Sequence, residues 1–155
     1  MHEVIDDGCI PEIAGMMRLK HTSKGMGAER AQRDRQQSRR GGRDAGGATG
    51  LLAIALGAFG AHALKVLLEA HHSRDLWNTA VLYHLVHAPA LLWAATAEPF
   101  LQGAILCWTV GIVLFSGSLY ALALTKITWL GAITPVGGLL LMAGWAIVGI
   151  RAFKS

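Results

Sequence analysis

The sequence predicts an all-α membrane protein, an antiparallel four-helix transmembrane bundle, on three observations. Hydrophobic residues make up 53% of the 155 residues and charged ones only 15%, too apolar for an ordinary soluble domain. Between Leu76 and Ile150 the Asp, Glu, Lys and Arg residues are Glu98 and Lys126 alone. These divide the region into runs of about 20 residues, the length a helix needs to cross a hydrocarbon core. Lipid offers no partner for a free backbone N–H or C=O, so such runs are helices; barrel strands would be shorter and alternating.

Residues 1–44 mix Gly, Arg, Gln, Ser and Asp without sustained periodicity. They are expected to be a disordered Arg/Gly-rich tail, unable to bury enough apolar surface to offset ordering entropy. Arg30, Arg33, Arg35, Arg39, Arg40 and Arg43 crowd its end and account for most of the basic pI. Polybasic sequence beside an apolar span reads as a topology signal or an anionic-lipid contact. No recognition fold accompanies it, so nucleic acid is not an expected partner. Cys9 and Cys107 are too few and too differently placed for a disulfide framework.

The first span is expected over residues 45–64, Gly-rich and then LLAIALGAFGAHAL. The triplet Ala61, His62, Ala63 also permits a signal-peptide cleavage reading, but Gly57 and Gly60 look like helix-packing positions and further spans follow. Lys65 to Trp77 carries six ionisable residues and suits the membrane interface. Residues 78–97, 101–124 and 128–150 form the remaining spans, separated by Glu98-Pro99-Phe100 and Thr125-Lys126-Ile127. Connections this short force antiparallel neighbours. Trp77 and Trp129 sit at span ends, where indoles favour the headgroup region. Near the span ends, eight Lys and Arg lie on the side of the termini (the six tail arginines, Arg151 and Lys154) against Lys65, Arg74 and Lys126 opposite. That asymmetry predicts cytoplasmic termini, and it depends on the tail.

LGAFGAHAL at Leu56–Leu64, YHLVHA at Tyr83–Ala88, LFSGSLYALAL at Leu114–Leu124, and ITPVGG at Ile133–Gly138 with Gly144-Trp145 resemble, in this order, the YgdD family. The resemblance spans about 105 residues. It implies a small four-helix protein of the bacterial inner membrane, built on a domain of unknown function, and it implies no activity. Members typically begin shortly before their first span, so the tail is foreign to the pattern and is consistent with a start codon placed too early. Pro89 also stands where a helix former is expected.

The spans carry no acid or base of the kind used for proton relays, which leaves histidine. His84 and His87 are three apart and share a helix face. Counted from the span ends, they lie roughly 9 and 14 Å deep, and Ser116, Ser118 and Tyr120 lie roughly 7 to 14 Å from the same side. Thr134 and Pro135 match that depth. The candidate polar cluster is therefore His62, Tyr83, His84, His87, Ser116, Ser118, Tyr120 and Thr134, in the non-cytoplasmic leaflet. It reads either as interhelical glue or as a shallow cavity. His-x-x-His supplies only two ligands and no embedded carboxylate completes a set, so neither metal nor cofactor is expected. Gly57, Gly60, Gly117, Pro135, Gly137, Gly138 and Gly144 are the expected packing positions. Pro89 and Pro135 are expected to interrupt their helices, freeing the carbonyls of Leu85 and Gly131.

Phosphate-loop, nucleophile-elbow and zinc-protease patterns are absent. The leading expectation is a non-catalytic membrane protein acting by helix packing with itself or another membrane protein, with the lipid bilayer as its solvent. The alternative is a small transporter or channel component using the histidine cluster. A buried, dry cluster favours the first; a cavity joining His84, His87, Ser116 and Thr134 favours the second.

Overall fold

The computed structural model describes the backbone of residues 10–97 and 101–154, and side chains from Gly25 onward. The Glu98-Pro99-Phe100 connection and Cys9 lie outside the described residues. The helices are α1 (Ile10–Ala61), α2 (Lys65–Ala70), α3 (Arg74–Thr96), α4 (Gln102–Thr125) and α5 (Thr134–Ala152), with a 3-10 turn at Thr128–Ala132 before α5. No strand occurs among the described residues. The chain forms two units, one ending at Gln37 and the other running from Ser38 to Ser155.

In the first unit the described residues are helical, where a disordered tail is expected. The reason is local: Ala, Arg, Gln, Glu and Met are good helix formers. A helix already nucleated elsewhere extends without the cost of a new nucleus. The side chains from Gly25 to Gln37 are exposed, and Arg33 pairs with Glu29 one turn earlier at 3.8 Å.

In the second unit the packed part of α1 begins before the expected Ala45. Gly42, Gly46 and Ala53 are buried, as is Gly60. Together with Gly50 and Gly57 they recur every three or four residues, which keeps them on one helix face. A Cβ added at Gly42 would meet Ala95, at Gly46 Leu92, at Gly50 Ala88, at Gly57 Val81 and at Gly60 Trp77. The partners descend along α3 as the glycines ascend along α1, so the two helices pack antiparallel. Sequence reading set this boundary late because Arg39, Arg40 and Arg43 interrupt the apolar run, while glycines add little hydropathy.

The rest of the unit is built on α4. Ala90, Leu91 and Ala94 of α3 meet Ala104, Trp108 and Ile112 of α4 and Leu141 of α5 in one buried cluster. A second cluster joins Leu68 of α2, Trp77 of α3 and Ala123 of α4. Gly137 approaches the backbone of Phe115, and Gly144 makes room for the Trp108 indole. Pro135 does not kink a span as expected. It stands in the first turn of α5, where a residue without an N–H leaves no helical bond unmade; the expected 128–150 span thus divides into a 3-10 turn and α5.

Burial is inverted relative to a water-soluble protein. The interior is mainly Ala and Gly, with Ser73, His84, His87, Ser116 and Ser118, whereas Leu85, Val86, Leu106, Val113, Leu139 and Met142 are exposed. Water would expel such a surface, but lipid does not, and small residues then let backbones approach. Among the described residues three helices are long and apolar enough to cross a membrane: Gly25–Ala61, Gln102–Thr125 and Thr128–Ala152.

Candidate functional site

The helix α3 presents His84 and His87 to the interior, 7% and 4% exposed, but the structure gives them different partners. His87 Nδ1 lies 2.7 Å from the Tyr83 carbonyl oxygen, and its Nε2 lies 3.2 Å from Trp145 Nε1. A carbonyl only accepts and an indole N–H only donates. The hydrogen therefore sits on Nδ1, and the Nε2 lone pair receives the indole of α5. This tautomer is assigned from its partners. It leaves neither nitrogen free for a metal or a ligand. Trp108 and Trp145 also meet the ring edge-on, with centroids 6.1 Å away in each case.

His84 faces elsewhere. Its Nδ1 is 3.4 Å from Tyr120 Oη, a long contact. Tyr120 in turn packs on Trp77 at 4.7 Å between ring centroids. His84, Ser116 and Tyr120 line a groove of about 280 Å³, with α1 and α4 as its walls. Ser116 is 1% exposed, and its Oγ has no hydrogen-bond partner.

A third group joins α4 to α5. Ser118 Oγ lies 2.8 Å from Thr134 Oγ1 and donates to the Phe115 carbonyl at 3.0 Å. Both bonds form together when Thr134 donates to Ser118. The expected single cluster is therefore three: His84 with Tyr120 and Ser116, His87 with the tryptophans, and Ser118 with Thr134. His87 and Thr134 do not line the groove. The half-exposed Tyr83 packs its ring on Phe115, with centroids 4.6 Å apart. His62 is exposed in the turn after α1 and joins none of these groups.

The expected packing positions also separate. Gly57, Gly60, Gly137, Gly138 and Gly144 each face a neighbouring side chain or backbone, but a Cβ on Gly117 would meet nothing within 4 Å. Gly117 lines the groove instead. Residue type alone does not say whether another helix lies against a glycine.

Sequence reasoning missed the tryptophans as hydrogen-bond donors. Trp77 Nε1 donates to the Leu56 carbonyl at 3.0 Å, and Trp108 Nε1 donates to the Leu141 carbonyl at 3.2 Å. The available signal was Trp108 itself, deep in an apolar run where its N–H needs a protein acceptor. It also missed the turn between α2 and α3. There Ser73 Oγ donates to the Ala123 carbonyl at 2.8 Å and His71 Nδ1 lies 3.2 Å from the same oxygen. That carbonyl is among the last four of α4, which have no partner within their helix. No group of three or more His, Cys, Asp or Glu that could hold a metal occurs among the described residues.

Comparison with known proteins supplies the family. The pattern of DUF423, described as a protein of unknown function, matches residues 56–138. The chain is 42% identical over 115 residues to the UPF0382 membrane protein YwdK of Bacillus subtilis, covering 70% of this chain and 93% of that protein. It is 39% identical over 111 residues to a UPF0382 membrane protein of Haemophilus influenzae, covering 69% and 89%. The UPF0382 inner membrane protein YgdD of Escherichia coli is 38% identical over 114 residues, covering 68% and 84%. No solved structure matches. With apolar helices that bury small residues and expose large ones, and with relatives that are membrane proteins, this chain is a membrane protein belonging to the DUF423 family.

Proposed function

We propose that the chain is a non-catalytic inner-membrane protein with four spans and both termini in the cytoplasm, acting by association within the membrane. The observation that carries the non-catalytic part is the His87 ring, with one nitrogen bonded to Tyr83 and the other to Trp145. Ser118, Thr134, Trp77 and Trp108 likewise spend their polar atoms on holding helices together. The transport alternative asks His84 and His87 to address one ligand, and the indole bond to His87 speaks against it.

The fourth span is α3. Its partners on α1 run from Trp77 beside Gly60 to Ala95 beside Gly42, a stretch of roughly 27 Å at 1.5 Å per residue. A helix lying along a membrane-crossing helix for that distance traverses the same depth. An even number of spans returns the C-terminus to the side of α1's basic end, which the Lys and Arg excess assigns to the cytoplasm. A relative carrying the words inner membrane in its name supports the location.

Reporter fusions test this reading. A fusion after Lys154 should report the cytoplasm and one within Glu69–Ser73 the opposite side. Opposite sides for Ser38 and Lys154 would reduce the count to three and remove α3 from the membrane.

A further inference from the structure

The glycine face of α1 turns toward α3, and another flank of the same helix carries a different pattern. Arg40, Arg43, Gly47, Leu51 and Ile54 follow one another at intervals of three and four residues, which keeps them on one side of the helix. All of them are exposed, Leu51 at 72% and Ile54 at 65%. A Cβ on Gly47 would meet nothing within 4 Å. The stripe is therefore basic at its start and apolar beyond, with open space between. Among the described residues neither Arg40 nor Arg43 has a hydrogen bond or an ion pair.

Charge at this end of the second unit is one-sided. A Cβ on Gly42 would meet Ile105 and one on Gly103 would meet Ile147, so the start of α4 stands beside both the basic part of α1 and the end of α5. Arg39, Arg40, Arg43, Arg151 and Lys154 gather there, with Asp44 as the single acid among the described residues. The other end is mixed: Lys65, Arg74 and Lys126 share it with Glu69 and Asp75, and Arg74 is bonded to Glu69 at 2.9 Å.

A topology signal needs only that basic residues lie near the end of a span. It does not ask that they fall in register with an exposed leucine and isoleucine. Nucleic acid would suit the arginines but leave Leu51 and Ile54 uncovered. A second copy inserted the same way round would cover those two, but it brings its own basic end to the same depth, like charge against like. An anionic glycerophospholipid satisfies both parts of the stripe. Its phosphodiester accepts charge-assisted hydrogen bonds from two guanidinium groups one turn apart, and an acyl chain passes over Gly47 and along Leu51 and Ile54. From Arg43 to Ile54 is roughly 16 Å along the helix, enough to run from the headgroup layer into the near half of a hydrocarbon core about 30 Å thick.

We propose that this flank of α1 binds an anionic glycerophospholipid, with Arg40 and Arg43 holding the phosphate and Leu51 and Ile54 lying along an acyl chain. The proposal rests on α1 being a span of the topology given above and goes beyond it by naming a ligand class and its contacts.

The test uses the full chain in dodecylmaltoside, titrated with dioleoylphosphatidylglycerol and separately with dioleoylphosphatidylcholine, with lipid-bound protein counted by native mass spectrometry. Phosphatidylglycerol should bind the more tightly. Arg40→Gln combined with Arg43→Gln should weaken its first binding step about thirtyfold, about fivefold for each cation, with little change for phosphatidylcholine. Both positions are exposed, so the fold is retained. Arg151→Gln combined with Lys154→Gln removes the same charge from the same end and should have a much smaller effect. Equal losses in the two double variants would overturn the site in favour of diffuse attraction, and equal binding of the two lipids by the parent would overturn it outright. Glycerol 1-phosphate, which keeps the phosphate without acyl chains, should not displace the lipid at millimolar concentration; displacement would overturn the acyl-chain contact. Loss of the lipid preference while the fusions still report four spans removes the site and spares the topology.

Discussion

Replacing Gly137 with alanine offers the cleanest measure of how the α4–α5 contact is built. A Cβ at Gly137 would fall against the backbone N and Cα of Phe115 as well as its Cβ, whereas at Gly117 it would meet nothing within 4 Å. Both sites lie in helices, so both variants gain the same intrinsic propensity, about 1 kcal/mol in favour of alanine. Their difference isolates the clash. Backbone cannot rotate out of the way, so α4 and α5 must separate. Overpacking of this kind costs about 1 to 3 kcal/mol, and separation also loosens Leu141 over Gly111 and Trp108 over Gly144. We therefore expect Gly137→Ala to be less stable than Gly117→Ala by about 2 to 4 kcal/mol. Unfolding in mixed micelles of dodecylmaltoside and dodecyl sulfate, followed by tryptophan fluorescence, reads this difference. Equal stabilities would refute the close approach of the two helices at Gly137.

Two further outcomes are expected. His87→Leu removes the acceptor of the Trp145 indole and should cost about 1 to 2 kcal/mol, with His87→Gln recovering part of the loss; equal stability of His87→Leu and the parent in the same assay would show the bond to be idle. Removing residues up to Gln37 should leave the unfolding midpoint in place, whereas removal through Asp44 deletes the contact of Gly42 with Ala95 and Ile105 and should lower it, and identical midpoints would show that residues 38–44 add nothing to the packing.

The fold class was legible because charge is excluded from long stretches, and lipid makes that exclusion obligatory. Two kinds of information were not legible. The first is the start of the packed part of α1. Gly42 and Gly46 give almost no hydropathic signal, yet a glycine against Ala95 or Leu92 fixes how closely two backbones approach. The second is which partner each histidine takes. Spacing of three placed His84 and His87 on one helix face, and depth brought both near Tyr120. The angle between them within that face sends one ring to α4 and the other toward Trp145 of α5, and no one-dimensional pattern records this. His84, His87, Ser116, Ser118, Tyr120 and Thr134 stand out in the sequence as polar residues within apolar runs, but their grouping into pairs and triads came from packing, and His62 lies exposed outside all of them.

The same reasoning accounts for α3, which is long enough to cross but less apolar than its neighbours. Hydropathy is demanded by lipid only of the residues that lipid touches. Nine of the 23 residues of α3 are buried, against three of the 19 in α5. On one side α3 receives the glycine face of α1, and on another it joins the core of α4. Its histidines can be polar because Tyr120 and Trp145 complete them inside the protein, and its alanines can be small because helices lie against them. A central helix of a membrane bundle is free to be the least hydrophobic one. On the proposed four-span arrangement the low apolarity of α3 follows from its position among the other helices, and converting His87 or Ala88 to leucine would raise its hydropathy while weakening its contacts with them.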